Sequence, residues 1–505
     1  MLFRVSDSRS GRLANAGLFA GPLAAVLAFL LMPAGYSDAQ GAFVALDPAA
    51  RLTAALAILM AVWWMTEALP IYATALLPLA LFPLLGIADM EGVAGAYGNK
   101  IIFLFLGGFI VALALEKWGL HKRLALTVLG AVGANPVAIV GAFMAVSAVL
   151  SMWIMNTAAT IMLLPVAVSV VRLLPGSDLA DGKADDPFPV CLLLGIAYAS
   201  SIGGMGTIIG TAPNVFLVSY VREHLGVEIS FVQWMKFAVP LVVCFVPVAW
   251  LVLTRVVYRI DRQEIVGAVD LLQSERARLA PLSVGERRTL IIFLLTAALW
   301  LCRPLLNKLE MAGVQPFAGL SDSGIAIIAA VALFIVPANL RKREFLMDWD
   351  TAVRLPWGLL LLFGGGLALA GAIVTTGLSV YLGSLAAGLG AWPVWAIVLA
   401  VTLLIVFLTE LTSNTATTAT MVPVLMAVAT GLQLDPLMLI VPAALAASSA
   451  FMLPVATPPN AIVFGSGLLR IGQMCRAGFV LNLIAIVLIS LFGYAIIGRA
   501  LGIVV

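Results

Sequence analysis

Charge is what this sequence has least of. Only 10% of its 505 residues are Asp, Glu, Lys or Arg, 63% are hydrophobic, and the mean hydropathy is +1.12. A soluble domain carries about 25% charged residues, because water must wet its surface. A chain this poor in charge presents much of its surface to lipid, so a water-soluble enzyme or binding module is excluded. Histidine is scarce too. His121 and His224 are the only two, which argues against a metal or proton site built on imidazole. Cysteine is sparse: Cys191, Cys244, Cys302 and Cys475 stand far apart in or beside apolar runs and form no CxxC pair. They read as small core residues rather than metal ligands or disulfides. The net charge of +3, from 28 basic and 25 acidic residues, is too mild to point to nucleic acid. No A-x-A cleavage site follows the apolar run behind Arg4, Arg9 and Arg12, and many more spans do, so this run reads as a retained first helix.

What the chain does have is apolar runs, enough for roughly ten to twelve spans of about 20 residues each. Their length favours helices over a β-barrel, whose strands are short and alternate in polarity. The fold class expected is therefore an all-α polytopic membrane protein. Basic residues cluster between runs, at Arg255, Arg259, Arg262, Arg276, Arg278, Arg287 and Arg288, and again at Arg341, Lys342 and Arg343. Two spans separate the clusters, so both can face the cytoplasm together with the N-terminus. Lys117, His121, Lys122 and Arg123 suggest a short interfacial helix on the same side. The loop with Asp178, Asp181, Asp185 and Asp186 is acidic, and its side stays open.

An internal repeat organises the chain. LFLGGFIVALALEKWGL (104–120) resembles LLFGGGLALAGAIVTTGL (361–378), and SMWIMNTAATIMLLPVA (151–167) resembles TELTSNTATTATMVPVL (409–425). Both pairs keep one offset: 365 − 107 = 258 and 414 − 156 = 258. GGMGTIIGTAPNVFLV (203–218) resembles FMLPVATPPNAIVFGS (451–466), with 460 − 214 = 246. The polar insertion 175–187 accounts for the missing twelve. The expected organisation is an N-terminal segment with the first helix (1–49), a first repeat (50–260), a cytoplasmic linker (261–288) and a second repeat (289–505). Repeats of this kind place a binding site at the midplane, where broken helices meet, and an inverted relation is expected.

Asn156-Thr157 and Ser413-Asn414-Thr415 sit in apolar stretches without any charge. Buried amides and hydroxyls are costly in lipid unless satisfied, and Asn competes with helix hydrogen bonding. Both segments should break a helix and expose the N-terminus of its second part, where free N–H groups favour an anion. Polar glue between packed helices is the plainer alternative, weakened because the motif recurs at corresponding repeat positions. Gly210-Thr211-Ala212-Pro213-Asn214 and Ala456-Thr457-Pro458-Pro459-Asn460 form a second pair. Their prolines should free carbonyls of the preceding turn, giving an all-oxygen cage for a hard cation; an ordinary proline kink is the alternative. Gly107-Gly108 and Gly364-Gly365-Gly366 suggest re-entrant hairpins, or else close helix packing. Glu67 and Glu410 lie at or within apolar runs and are candidates for a proton or cation role; for Glu410, four residues before Asn414, a plain hydrogen bond to the helix break is the alternative. The proposed site holds no Arg or Lys, so an anion there must be balanced by helix ends and bound cations. That need is a physical reason for coupling.

Together with WWMTEALP (63–70), GGFIVALALEKWGLHKRLAL (107–126) and MLPVATPPNAIVFGSG (452–467), these motifs resemble the divalent anion/sodium symporter family over nearly the whole chain after about residue 50. The resemblance implies about 11 transmembrane helices with two re-entrant hairpins. It also implies a homodimer whose transport domains slide, elevator fashion, against a scaffold domain in the plasma or bacterial inner membrane. It implies sodium-coupled symport of a small dianion, above all a C4-dicarboxylate such as succinate, with two or more sodium ions. By motif match a first sodium site would use Ser151, Asn156 and Gly210, and a second Thr409, Asn414 and Ala456. Substrate carboxylates would meet Asn156, Thr157, Ser413, Asn414, Thr415, Thr457 and Pro458. Met155 departs from the family's usual Ser-Asn-Thr and is the specificity candidate; Ala212 in place of a frequent Pro is a milder departure. A sodium-independent exchanger of the same family is the nearest competing reading, then a proton-coupled carrier using Glu67 or Glu410. An intramembrane enzyme is remote, because neither histidine falls among the midplane motifs.

Overall fold

The computed structural model describes residues 8–37, 43–174, 187–311 and 313–497, so the acidic loop at Asp178–Asp186 lies outside the described residues. Among these, helices dominate. Two small antiparallel ribbons interrupt them, Gly35–Ser37 with Phe43–Ala45 and Pro337–Asn339 with Glu344–Phe345. Helices close their backbone hydrogen bonds within the segment, which is what lipid demands. Eight are long and apolar enough to cross a bilayer: Leu13–Leu31, Pro48–Thr66, Met90–Lys117, Pro187–Gly204, Phe231–Val257, Val284–Leu306, Trp357–Thr375 and Ile471–Ala495. The chain is a multi-pass membrane protein.

These helices differ in burial. Pro187–Gly204 is 94% buried, enclosed by Pro136–Ser151, Asn156–Val171, Phe231–Leu251 and Pro458–Phe464, whereas Leu13–Leu31 and Val284–Leu306 are only 17% and 28% buried and turn apolar faces outward. Six further apolar helices of 10–17 residues, among them Pro136–Ser151, Asn156–Val171, Val394–Thr409 and Leu437–Ala447, are too short to span alone. Most of them flank breaks in the chain.

The glycine runs do not form re-entrant hairpins. Gly107-Gly108 and Gly364-Gly365-Gly366 lie inside the continuous helices Lys100–Lys117 and Trp357–Thr375. A Cβ at Gly107 would stand 2.5 Å from the Ala326 backbone, and one at Gly365 2.2 Å from the Ala75 carbonyl oxygen. Their absent side chains let helices touch at backbone distance. The chain turns a few residues later, at Gly119 (φ 68°) and Gly377 (φ 76°), 258 positions apart. Each starts a short helix, Leu120–Leu129 or Leu378–Leu385. The first carries His121, Lys122 and Arg123, as expected. Arg123 binds Glu286 at 2.8 Å and the Ala280 carbonyl at 2.7 Å, which ties this helix to the basic linker.

The two halves interlock. Pro458–Phe464 packs on Asn156–Val171 and on Pro187–Gly204, while Ala212–Leu225 packs on Asn414–Gly431 and on Leu437–Ala447. Short helices from one half thus seat against broken helices of the other.

Candidate ion and substrate site

Each half contains two breaks. In the first half the chain leaves Pro136–Ser151 and restarts at Asn156. It breaks again between Pro187–Gly204 and Ala212–Leu225. In the second half it leaves Val394–Thr409 and restarts at Asn414, then breaks between Leu437–Ala447 and Pro458–Phe464. The breaks at Asn156 and Asn414 stand where the sequence predicts them.

The first residues of the restarted helices are Asn156 and Asn414. Their caps, Met155 (φ −59°, ψ 138°) and Ser413 (φ −66°, ψ 131°), share one extended conformation, and neither makes a side-chain capping bond. First-turn N–H groups therefore keep their capacity for an anion. At the second pair, Thr211 (φ −138°, ψ 151°) and Thr457 (φ −141°, ψ 148°) also match each other. The prolines do not free carbonyls of a preceding turn, as the sequence suggested. Pro213, Pro458 and Pro459 stand in the first turn of the restarted helix, where a missing N–H costs nothing. The accessible carbonyls belong to the break loops themselves.

Oxygens converge where the two breaks of each half meet. Ser151 Oγ lies 2.7 Å from Asn156 Oδ1 and 2.6 Å from the Ser200 carbonyl. Thr409 Oγ1 lies 2.8 Å from Asn414 Oδ1 and 2.9 Å from the Ala447 carbonyl. A hydroxyl has one proton, so in each triad it can donate to only one of its two acceptor neighbours at a time. Such a surplus of lone pairs suits a cation. Gly210 belongs to the first triad's surroundings. A Cβ on Gly204 would stand 2.7 Å from Asn156 Oδ1 and 3.1 Å from Gly210 O, so glycine keeps that space clear. Ala456 is buried in the corresponding loop of the second half.

Two buried asparagines outside the expected set shape these loops. Asn214 Nδ2 donates to the carbonyls of Gly204 (3.2 Å) and Thr207 (2.8 Å), and Asn460 Nδ2 to those of Ala450 (3.2 Å) and Leu453 (3.1 Å). Both partners shift by the same 246 positions, so the clamp recurs. The signal was present in the repeated Pro-Asn pair but was read only as cage chemistry. Thr211 Oγ1 and Ser448 Oγ, 3.3 Å apart, join the second breaks of the two halves directly.

The two carboxylate candidates are placed differently. Glu410 accepts from the backbone N–H groups of Phe451 (2.7 Å), Met452 (2.8 Å) and Leu453 (3.1 Å) and from Asn482 Nδ2 (2.8 Å). It anchors the second break's loop, with its oxygens already engaged. Glu67 is exposed and ends helix Pro48–Thr66 in the left-handed region (φ 49°).

Thr157 and Ser413 are half-buried, Thr415 and Thr457 are buried, and Pro458 is exposed. Met155 lines a small apolar cavity with Phe109, Leu113, Leu355 and Pro356. Glu116 and Ala158 are shared with a second cavity of about 410 Å³ along helix Asn156–Val171, bordered by His121, Lys122 and Glu275. A crevice thus leads from the charged linker side towards Met155.

The profile of the sodium:sulfate symporter transmembrane region matches residues 19–504. The chain belongs to this family. Its members are transporters, so an enzyme is set aside, and the divalent anion/sodium symporter resemblance holds. Among the family's similar proteins, the sodium-dependent dicarboxylate transporter SdcS of Staphylococcus saprophyticus is 40% identical over 491 residues, covering 96% of this chain and 92% of that one. SdcS of Staphylococcus aureus strain MRSA252 is 41% identical over 493 residues, with the same coverage. Two solved transporters share the fold at low identity. Alcanivorax borkumensis YdaH has a TM-score of 0.60 at 14% identity, covering 96% of this chain and 98% of its own. Neisseria gonorrhoeae MtrF has 0.61 at 11%, covering 95% and 94%.

Proposed function

We propose that the protein is a secondary transporter that moves a small dianion, foremost a C4-dicarboxylate such as succinate, together with sodium ions. The observation that carries this reading is the oxygen triad that occurs twice: Ser151–Asn156–Ser200 and Thr409–Asn414–Ala447, each with one hydroxyl proton between two acceptors. Sodium is a hard cation that takes oxygen ligands, and neutral hydroxyl, amide and carbonyl oxygens can hold a single positive charge. Gly210 and Ala456 complete the two cages from the neighbouring loops. Beside each cage a helix begins with an uncapped first turn, so bound cations and helix ends together balance the two carboxylates of the substrate. Asn156 and Thr157 on one side, and Ser413, Asn414, Thr415, Thr457 and Pro458 on the other, receive them. Without sodium, a dianion there would face only partial charges. That is the origin of coupling.

The repeats are inverted, and the paired segments around Asn156 and Asn414 are the re-entrant hairpins. The residues around the breaks form a transport domain that slides against a scaffold, elevator fashion, within a homodimer in the plasma membrane. The N-terminus and the linker 261–288 face the cytoplasm. The crevice past Met155 is then the path to the cytoplasmic side. The curated relatives, named as sodium-dependent dicarboxylate transporters, support the choice of ion and substrate class.

The test is uptake of radiolabelled succinate into liposomes, with external sodium or with choline in its place. Saturable uptake only with sodium is the expected result. Uptake without sodium that needs a dicarboxylate inside would replace symport by exchange. Equal, non-saturable entry under both conditions would sink the dicarboxylate.

A further inference from the structure

The cation cages leave one buried polar cluster unused. Ser147, Thr160 and Ser200 have no exposed surface. Ser147 Oγ lies 2.7 Å from the Ile196 carbonyl and 3.2 Å from Ser200 Oγ. Ser200 Oγ lies 3.2 Å from both Thr160 Oγ1 and the Asn156 carbonyl, and Thr160 Oγ1 is 2.9 Å from that same carbonyl. Five oxygens therefore gather between helices Pro136–Ser151, Asn156–Val171 and Pro187–Gly204. Asn156 divides them from the first cage: its side-chain oxygen faces Ser151, its carbonyl this cluster.

Building the break does not require these hydroxyls. The second half makes a corresponding break, with the same cap conformation and an equivalent triad, using Ile405 where Ser147 stands (405 − 147 = 258). Opposite Ser200 it has Ala446 by sequence offset and Ala447 by the carbonyl that meets Thr409. Only the threonine is kept: Thr418 donates to the Asn414 carbonyl at 2.8 Å, as Thr160 does to Asn156. The first half has thus added two hydroxyls to a site that folds without them. Each of these hydroxyls donates to a carbonyl, which covers the cost of its burial, so it is their gathering beside the first cage, in one half alone, that points to a ligand.

The donor set selects the ligand. Every group is a neutral oxygen, and among the described residues no set of three or more His, Cys, Asp or Glu gathers to hold a metal. Divalent cations call for carboxylates, and softer metals for imidazole or thiolate. Hydroxyl rotors can turn their lone pairs to a guest.

We propose that the hydroxyls of Ser147, Thr160 and Ser200, with the carbonyls of Asn156 and Ile196, form a further sodium site that exists in the first half alone. It rests on the sodium-coupled reading above for the identity of the ion. Ser200 links it to the first cage, with its carbonyl on Ser151 and its hydroxyl on the added site, so the two ions bind as neighbours. One more positive charge then accompanies the dianion.

The experiment is equilibrium binding of radioactive sodium to the purified full-length protein in detergent, without substrate, alongside the sodium dependence of succinate uptake in liposomes. Ser147→Ala and Ser200→Ala should each bind one sodium ion fewer per protomer than the unaltered protein, with a lower Hill coefficient for sodium. Ser200→Thr, which keeps the hydroxyl, should restore both. Unchanged sodium stoichiometry and Hill coefficient in both alanine variants would overturn the added site and leave the two cages standing. Loss of all sodium binding in both variants at an unchanged melting temperature would also overturn it, by assigning these hydroxyls to the first cage. No sodium binding by the unaltered protein would overturn sodium coupling together with the added site.

Discussion

The two halves build one arrangement of oxygens on different supports. In the first half the loop between Ser151 and Asn156 is held from outside. Trp153 stacks on Phe231 with ring centroids 6.0 Å apart, Phe231 stacks on Trp300 at 4.6 Å, and Phe293 meets Trp153 edge-on at 5.2 Å. Thr207 Oγ1 adds a bond to the Met152 carbonyl at 2.5 Å. The second half has Glu410 at the position of Met152 (410 − 152 = 258), and this carboxylate gathers three backbone N–H groups and an amide. Its loop residues Leu411 and Val455 are 70% and 81% exposed. What the halves share is the triads, the uncapped helix starts and the asparagine clamps, the features on which the proposed ion and anion binding rests. What differs is how each loop is held. One is buttressed by aromatic packing against helix Val284–Leu306, the other is tied internally and left open on its outer side.

Five substitutions sharpen or break this contrast. The largest effect belongs to Glu410→Ala, which strands three N–H groups and Asn482 and should cost roughly 3–5 kcal/mol. A melting curve in detergent reads it, and a melting temperature equal to that of the unaltered protein would mean that the second loop stands without its anchor. Next come Asn156→Ala and Asn414→Ala. Each removes the shared oxygen of a triad and should lower sodium-driven uptake by about 100-fold, near 2.7 kcal/mol. The losses should be alike in the two halves, and a silent Asn156→Ala beside a dead Asn414→Ala would break the equivalence. Trp153→Ala should destabilise by about 2 kcal/mol through lost packing and ring contacts, whereas Leu411→Ala at the open loop should change the melting temperature little. Equal effects from both would remove the asymmetry.

The smallest effect concerns the ends of the helices that carry the glycine runs. Lys117 pairs with Asp348 at 2.7 Å, while the corresponding position in the second half is Thr375. The Lys117 ammonium, together with the Thr351 N–H, pulls the Asp348 carboxyl down to about 2. Its folded value lies below the unfolded value of about 3.9. The pair's stabilisation is therefore complete above that value and disappears as the pH falls through about 2. Asp348 is 49% exposed, which limits the gain to below about 1 kcal/mol. Asp348→Asn should melt slightly earlier than the unaltered protein at pH 6 and no earlier near pH 2; a gap that persists there would assign the effect to packing.

Much of this was legible in the chain. Asn156 and Asn414 announce helix breaks because an amide in an apolar run competes for backbone hydrogen bonds, and one offset of 258 ties the two together. The glycine runs misled because glycine serves tight turns and close helix packing equally well. Only the partner decides, and the backbones of Ala326 and Ala75 lie far off in sequence. For Glu410 the chain offers both an ion role and a hydrogen bond to the helix break; the partners that decide for a break anchor, 41 to 43 residues on and at Asn482, are invisible to any local pattern. The prolines were assigned to the wrong side of their breaks, since a helix start and a helix kink both show Pro in an apolar run.

The interlocking of the halves has a consequence for biogenesis. Helix Asn156–Val171 waits for Pro458–Phe464 before its contacts are complete, and 458 − 171 = 287 residues separate them. At about 5–20 residues per second, synthesis leaves the first half without its partner for roughly 15–60 s. During that interval its polar breaks have nothing from the second half packed against them. A ribosome stalled between the halves would release a fragment that insertion quality control should recognise and clear, and the first half expressed alone should share that fate.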